Sequence, residues 1–154
     1  MPTIKLDWLE DADRAVPLPS YQTAGAAGAD IRANFPPDAR EGVTLSPGAR
    51  ALIPTGLRME IPQGFEVQVR PRSGLALKQG LTIPNSPGTI DSDYRGPVGV
   101  IVLNAGDAPV TIAHGDRIAQ IVVAPVVQAA FEMADTLTET ERGAGGFGST
   151  GVAG

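Results

Sequence analysis

The sequence predicts an all-β fold of short strands joined by tight turns, with a single short helix. Three observations carry this. The chain has 19 glycines and 14 prolines, against about 18 of the two together at average usage, and such punctuation suits many turns. Apolar residues alternate with polar ones, most cleanly where Phe65, Val67 and Val69 are interleaved with Glu66, Gln68 and Arg70; that is the period of a strand with one buried face. Only Ser73 to Gly80 reads as helical, between a capping serine and a glycine stop. The length of 154 residues fits one domain with a real core.

Taken in order, Ile4 and Leu6 alternate with polar neighbours as a first strand, which Trp8 extends. Asp11 to Ala29 is rich in Ala, Gly and Pro, holds no clear period, and leads into Asp30 and Ile31. Pro36 to Gly48 is loop and turn, with Val43 and Leu45 as a strand between. Ala51 to Ile53 and Leu57 to Ile61 are apolar pieces split by Pro54-Thr55-Gly56, and Pro62-Gln63-Gly64 is the next turn. Ser73 is the expected N-cap of the helix and Gly80 its stop. Leu81 and Ile83 lead to a polar tip, Asn85 to Gly99, with turns at Asn85-Ser86-Pro87-Gly88 and Gly96-Pro97. Val98 to Leu103 reads as a strand buried on both faces or nearly so, and Asn104 to Asp107 turns the chain. Val110 to Ala113 and Ile118 to Val127 are strands on either side of a turn at His114-Gly115-Asp116. Glu132 to Glu141 is polar and acidic, a linker. One folded β domain is therefore expected over 1–131, and a linker with a flexible glycine-rich arm over 132–154.

The net charge of −5 argues against a general nucleic-acid or anionic-membrane surface. No apolar run approaches the ~20 residues of a membrane span. Met1 to Glu10 carries Lys5, Asp7 and Glu10 in place of a basic-apolar leader, so a cytoplasmic protein is expected. Without cysteine there is no disulfide or thiolate chemistry, and with His114 alone there is no multi-histidine metal site. Any metal is a hard ion on oxygen ligands, with Mg²⁺ the leading choice. Most of the cations are arginines, whose forks match phosphate and carboxylate oxygens. An acidic chain can still hold a phosphate where a few of them converge.

Residues able to do chemistry gather in a few places. At the tip, Asp91, Asp93, Tyr94 and Arg95 would suit a small polar ligand, and would equally make an ordinary hairpin with solvated charges. Arg70 and Arg72 precede the helix start, whose free N–H groups attract anions; a phosphate seat and a plain cap with surface arginines both fit. Asp30 fits a turn residue or a ligand to metal or water. Gln120 shares a strand face with Ile118 and Val122, satisfied by neighbours or reaching a ligand. In the tail, Gly143, Gly145 and Gly148 formally match G-x-G-x-x-G, but no strand precedes them and too little chain follows for a dinucleotide fold. Glycine N–H groups can nonetheless close on phosphate oxygens. Phe147 can stack on a base, and Ser149 and Thr150 add hydroxyl donors. The tail reads as an arm that orders over a nucleotide.

Five segments in order then carry a resemblance: AGADI (27–31), PRSGLA (71–76), GTIDSDYRGPVG (88–99), GDRIAQIVV (115–123) and RGAGGFGSTG (142–151). Together they resemble the motifs of the trimeric dUTPase family, and they cover almost the whole chain. Ala29 stands where many members carry an aromatic residue and Ala144 where the tail often has a polar one; neither touches the expected chemistry. The resemblance implies a jelly-roll β-barrel and a homotrimer whose sites lie between subunits. It implies hydrolysis of dUTP to dUMP and pyrophosphate with Mg²⁺, limiting uracil in DNA and supplying dUMP for thymidylate synthesis. It also implies roles. Asp91 would orient and deprotonate the attacking water, and Asp30 would hold Mg²⁺ through water. Arg72, Ser73 and Gly74 would bind the phosphates, with Gln120 beside them. Asn85 and the backbone at Gly88, Thr89, Ile90 and Gly99 would read the uracil edge. Tyr94 would pack under the deoxyribose and exclude a 2′-hydroxyl. Arg142, Phe147, Gly148, Ser149 and Thr150 would close over phosphates and base. A dCTP deaminase shares this fold but usually lacks the arm. A non-catalytic β-barrel regulatory module would tolerate loss of Asp91 or of the arm, and both are present.

Overall fold

Two four-stranded antiparallel sheets face each other across one apolar core in the computed structural model, which describes residues 1–151. The end of the expected arm, 152–154, lies outside the described residues. In chain order the strands are β1 (Lys5–Trp8), β2 (Ala29–Arg32), β3 (Val43–Leu45), β4 (Arg50–Glu60) and β5 (Phe65–Arg70). After the helix α1 (Ser73–Gln79) come β6 (Leu81–Thr82), β7 (Gly88–Ile90), β8 (Val98–Asn104), β9 (Val110–Ile112) and β10 (Arg117–Pro125). One sheet has the order β1-β4-β8-β6, the other β2-β10-β5-β7, and β3 pairs with β9 in a small third sheet. This is the all-β, jelly-roll type of architecture expected, with its one short helix. Because side chains alternate across a strand, Ile53, Met59, Val98, Val100 and Val102 of the first sheet meet Ile31, Val67, Val69, Ala119 and Ile121 of the second, all buried. Among the described residues no helix is long and apolar enough to cross a membrane.

Four local expectations are corrected. Pro54-Thr55-Gly56 does not split the chain. The strand β4 runs through it, with its register against β8 shifting between Pro54 and Leu57. A bulge is where a strand tolerates a residue that cannot donate, and the Thr55 hydroxyl donates to Val98 O at 2.6 Å. Gly56 takes φ 69° there, and a Cβ on it would stand 2.8 Å from the buried Asn34 side chain. Strand β8 is buried on one face only: Ile101 points outward opposite the exposed Leu52 of β4, which leaves an open apolar patch. The helix N-cap is Arg72, not Ser73, and no side chain caps the end. Arg72 holds an extended backbone after Pro71, so the first helical bond runs from Ala76 N–H to Arg72 O. Gly80 does stop the helix, in the left-handed conformation at φ 68°. Lastly, β10 ends at Pro125, opposite the first residue of β5; one more backbone bond, Val126 N–H to Gly64 O at 3.0 Å, reaches the turn before β5 and the ladder stops there.

The aperiodic segment before β2 is held by specific bonds. Asp13 N–H donates to Asn34 Oδ1 at 3.0 Å, and Asn34 Nδ2 donates to Asp13 O at 2.9 Å. Phe35 N–H donates to His114 Nδ1 at 3.1 Å. The ring proton therefore lies on Nε2, which donates to Asp13 Oδ2 at 3.0 Å. The Ala15 N–H first, and then His114, hold the Asp13 carboxyl below its usual range. Its contribution to stability is thus present above the ordinary value of 3.8 and lost as pH falls below it. Further along, Ser20 and Asp30 exchange backbone hydrogen bonds at 3.3 and 2.9 Å, so the clamped segment braces the start of β2.

Asn104 ties the barrel together at the other end. Fully buried, it donates to Leu45 O at 2.9 Å and Ala108 O at 2.8 Å, and accepts from Gly106 N–H at 2.9 Å. Asn104→Ala orphans three backbone groups and is expected to cost about 3 kcal/mol. Denaturant unfolding at fixed protein concentration checks this; a loss within about 0.5 kcal/mol would mean that water replaces the bonds.

Candidate active site

The first cluster forms where β2, β10 and the start of α1 meet. Gln120 on β10 pairs with Asp30 of β2 on one side and Arg70 of β5 on the other, so sheet pairing alone brings three expected sites side by side. Arg72 Nε donates to Asp30 Oδ1 at 3.2 Å. Arg117 Nη1 donates to Asp30 Oδ2 at 3.1 Å. Arg72 Nη1 also reaches Arg117 O at 3.3 Å. The Asp30 side chain is only 13% exposed, where removing an arginine leaves an under-compensated charge. Gln120 Nε2 donates to Pro71 O at 3.0 Å. A Cβ at Gly28 would stand 2.4 Å from Gln120 Oε1, so a glycine at 28 is what lets the amide lie there. Ser73 opens onto a cleft of about 440 Å³ lined with Arg70, Pro71, Ser86, Pro87 and Gln120, and Gly74 follows it on the exposed first turn.

Sequence reasoning missed Arg117 as a site residue. Its signal was present, an arginine directly before the apolar run of β10, but its partner is a carboxylate 87 positions away. Only the β2–β10 pairing makes them neighbours.

The second cluster lies at the tip between β7 and β8. Thr89, Ile90, Asp91, Tyr94, Pro97, Val98 and Gly99 line a pocket of about 210 Å³. Tyr94 walls it: its hydroxyl donates to Pro97 O at 2.9 Å, and its N–H donates to Asp91 O at 3.2 Å. Arg95 folds back on the turn, donating to Ser92 O at 2.7 Å. Asp91 is exposed and its carboxylate is bonded to no described residue. Asn85 sits at the entry of β7, with its amide nitrogen 3.1 Å from where a Cβ on Gly88 would stand.

The structure keeps these clusters apart. Ile90 pairs with Val67 and Gln120 with Arg70. Asp91 is therefore about 13 Å along the strands from the Asp30 row, and about 14 Å across the sheet from β2. The arm is separate again. Among the described residues its hydrogen bonds are internal, such as Arg142 Nε to Gly145 O at 2.8 Å and Ser149 N–H to Gly146 O at 3.0 Å. Phe147, Gly148, Ser149 and Thr150 are all exposed, Phe147 completely.

Arginines converging on a cleft, a small ring-walled pocket and a glycine arm make this a ligand-handling antiparallel barrel of the kind suited to phosphorylated molecules. Comparison with known proteins narrows that class. The family model described as dUTPase matches residues 14–151. The deoxyuridine 5′-triphosphate nucleotidohydrolase of Roseobacter denitrificans is 70% identical over 149 residues, covering 97% of this chain and 96% of that one. The solved dUTPase of Staphylococcus bacteriophage 80alpha with dUPNHPP has a TM-score of 0.84 at 26% identity, over 97% of this chain and 99% of that one. A mutant dUTPase of phage phi11 of S. aureus, whose structure concerns a structural Mg(II) ion, shares the fold with a TM-score of 0.74 at 23% identity, over 89% of this chain and 99% of that one. The chain belongs to the dUTPase family.

Proposed function

We propose that this chain hydrolyses dUTP to dUMP and pyrophosphate at sites completed between the subunits of a homotrimer. Membership of the family over 14–151, arm included, carries the activity and does not favour a deaminase or a non-catalytic module. The separation of the two clusters carries the sharing of sites. Asp91 has to stand beside the α-phosphate, and Arg72, Ser73 and Gly74 have to hold the same phosphates. Within one chain they are too far apart, so the arginine cluster of one copy completes the Asp91 pocket of another. The open apolar patch at Leu52 and Ile101 is suited to packing between copies. So are Val127, Phe131 and Met133, apolar and exposed, on every second or fourth residue of the segment leading to the arm.

In this reading uracil enters the pocket at the tip, its edge read by Asn85 and by the backbone at Gly88, Thr89, Ile90 and Gly99. A tight hairpin leaves no room for a 5-methyl group. Tyr94 packs against the deoxyribose. Asp91 holds a water and takes its proton as the water oxygen bonds to the α-phosphorus. The bond from that phosphorus to the bridging oxygen breaks, and pyrophosphate leaves with the electron pair. Arg72, Ser73, Gly74 and Gln120 hold the phosphates. The arm brings Arg142, Gly148, Ser149 and Thr150 to them and lays Phe147 over the base. Phosphoryl transfer needs mostly such positioning and charge neutralisation.

Both Asp30 oxygens already accept from arginines, and among the described residues no three acidic or histidine side chains gather to hold a metal; in this reading Asp30 would therefore meet Mg²⁺ only through the ion's water, with the substrate's phosphates as its direct ligands. When bound, Mg²⁺ supplies neutralisation of phosphate charge. We place the enzyme with the nucleotide pool of the cytoplasm.

Hydrolysis in labelled water tests the point of attack: the heavy oxygen is expected in dUMP, read by mass spectrometry. Label in pyrophosphate would move the attack to the β-phosphorus.

A further inference from the structure

Gly96 follows Tyr94 by two residues, at the edge of the pocket at the tip. A Cβ built on it would lie 2.4 Å from Tyr94 Oη, 2.6 Å from Cζ and 2.9 Å from Cε2. All three atoms belong to the hydroxyl end of one ring, so that end rests against the bare Cα of residue 96. Pro97 O holds the same end through its bond from Oη at 2.9 Å. The backbone does not demand glycine here, since Gly96 is not among the glycines of positive φ. What excludes a side chain at 96 is the Tyr94 ring.

We propose that Gly96 is a specificity-determining position: it forms the seat that fixes Tyr94 as a wall against the ribose 2′-hydroxyl. The inference rests on the reading that places the deoxyribose against Tyr94. A wall discriminates between sugars only if it cannot yield. Tyr94 is 44% exposed, and an exposed side chain changes rotamer readily. The seat and the bond to Pro97 O remove that freedom. A methyl group at 96 pushes the hydroxyl end off its seat and breaks that bond, so the wall is no longer held in one place. The far end of a side chain moves at little cost, so the fold should survive.

The test compares kcat/KM for dUTP and UTP in the wild type, Gly96→Ala, Tyr94→Ala and the double variant. Tyr94→Ala is expected to raise the UTP:dUTP ratio on the order of tenfold, the scale at which pocket lining discriminates one small group. Gly96→Ala is expected to raise it by a smaller factor, and the double variant no further than Tyr94→Ala alone. Fluorotyrosine labelling supplies a readout independent of activity, because the chain has only two tyrosines. The fluorine resonance of Tyr94 should move in Gly96→Ala and that of Tyr21 should not.

A ratio raised by Tyr94→Ala and untouched by Gly96→Ala overturns the seat and leaves the sugar reading standing. A ratio unmoved by Tyr94→Ala removes Tyr94 from sugar selection, and the proposed role of Gly96 falls with it. An equal rise from Gly96→Ala with and without the Tyr94 ring, or an unmoved Tyr94 resonance, also overturns the seat. Should Gly96→Ala fail to fold, rescue by adding Tyr94→Ala supports the seat, and failure to rescue overturns it.

Discussion

Asp91→Asn is expected to lose on the order of 10²–10⁴-fold in turnover, the scale of general-base catalysis, while dUTP still binds. Asparagine keeps the size of the side chain and removes only its ability to take a proton. The pocket lining at Thr89, Ile90, Tyr94 and Gly99 is unchanged by it. The Asp91 carboxylate is exposed and bonded to no described residue, and its backbone bond from Tyr94 N–H is kept in the variant, so the fold loses nothing and the unfolding temperature should stay at its wild-type value. Calorimetric titration with dUTP becomes possible once turnover stops, and is expected to show retained affinity. If affinity and turnover fall together, the carboxylate serves binding more than proton transfer. Near-normal turnover would place the base elsewhere, with the neighbouring Asp93 next in line.

Two inactive proteins are expected to restore activity to each other when dissociated, mixed and reassembled. One is Asp91→Asn with its arm intact; the other ends at Thr140 with Asp91 intact. If each arm served its own chain, every site in a mixed trimer would lack either the base or the arm, and the mixture would stay dead. If arms cross, some sites join an intact Asp91 to an arm from another chain. Recovery is expected because the arm's hydrogen bonds are internal among the described residues and Phe147 is wholly exposed. Nothing there ties the arm to its own barrel. Glycines at 143, 148 and 151 take positive φ, the freedom an arm needs to reshape over a ligand. A lasting null result, with mixed trimers confirmed by native mass spectrometry, would show closure in cis.

What was legible in the sequence was local. The alternation along Phe65–Arg70 marked a strand with one buried face, because side chains of successive residues leave a strand on opposite sides. Gly80, the turn at His114-Gly115-Asp116 and the turns around the tip were readable because a backbone that must bend leaves its requirement on the residues that bend. The motif order pointed to a dUTPase, and the structure places Asp30, Arg72 and Gln120 in one cluster. Features decided by pairing were not readable. Pro54 looked like a break because its missing N–H is visible, whereas the bulge that absorbs it depends on β8. Val98 to Leu103 looked buried on both faces because apolar residues say nothing about which neighbour covers them. Arg117 gave no sign of meeting Asp30, nor Gly28 of making room for Gln120. The sequence by itself determined where strands and turns fall and which side chains can do chemistry, because those follow from adjacent residues. The tertiary structure alone decided which of them meet. It gathers Asp30, Arg72 and Arg117 in one corner and holds Asp91 in another, because contacts across a sheet depend on residues far apart along the chain.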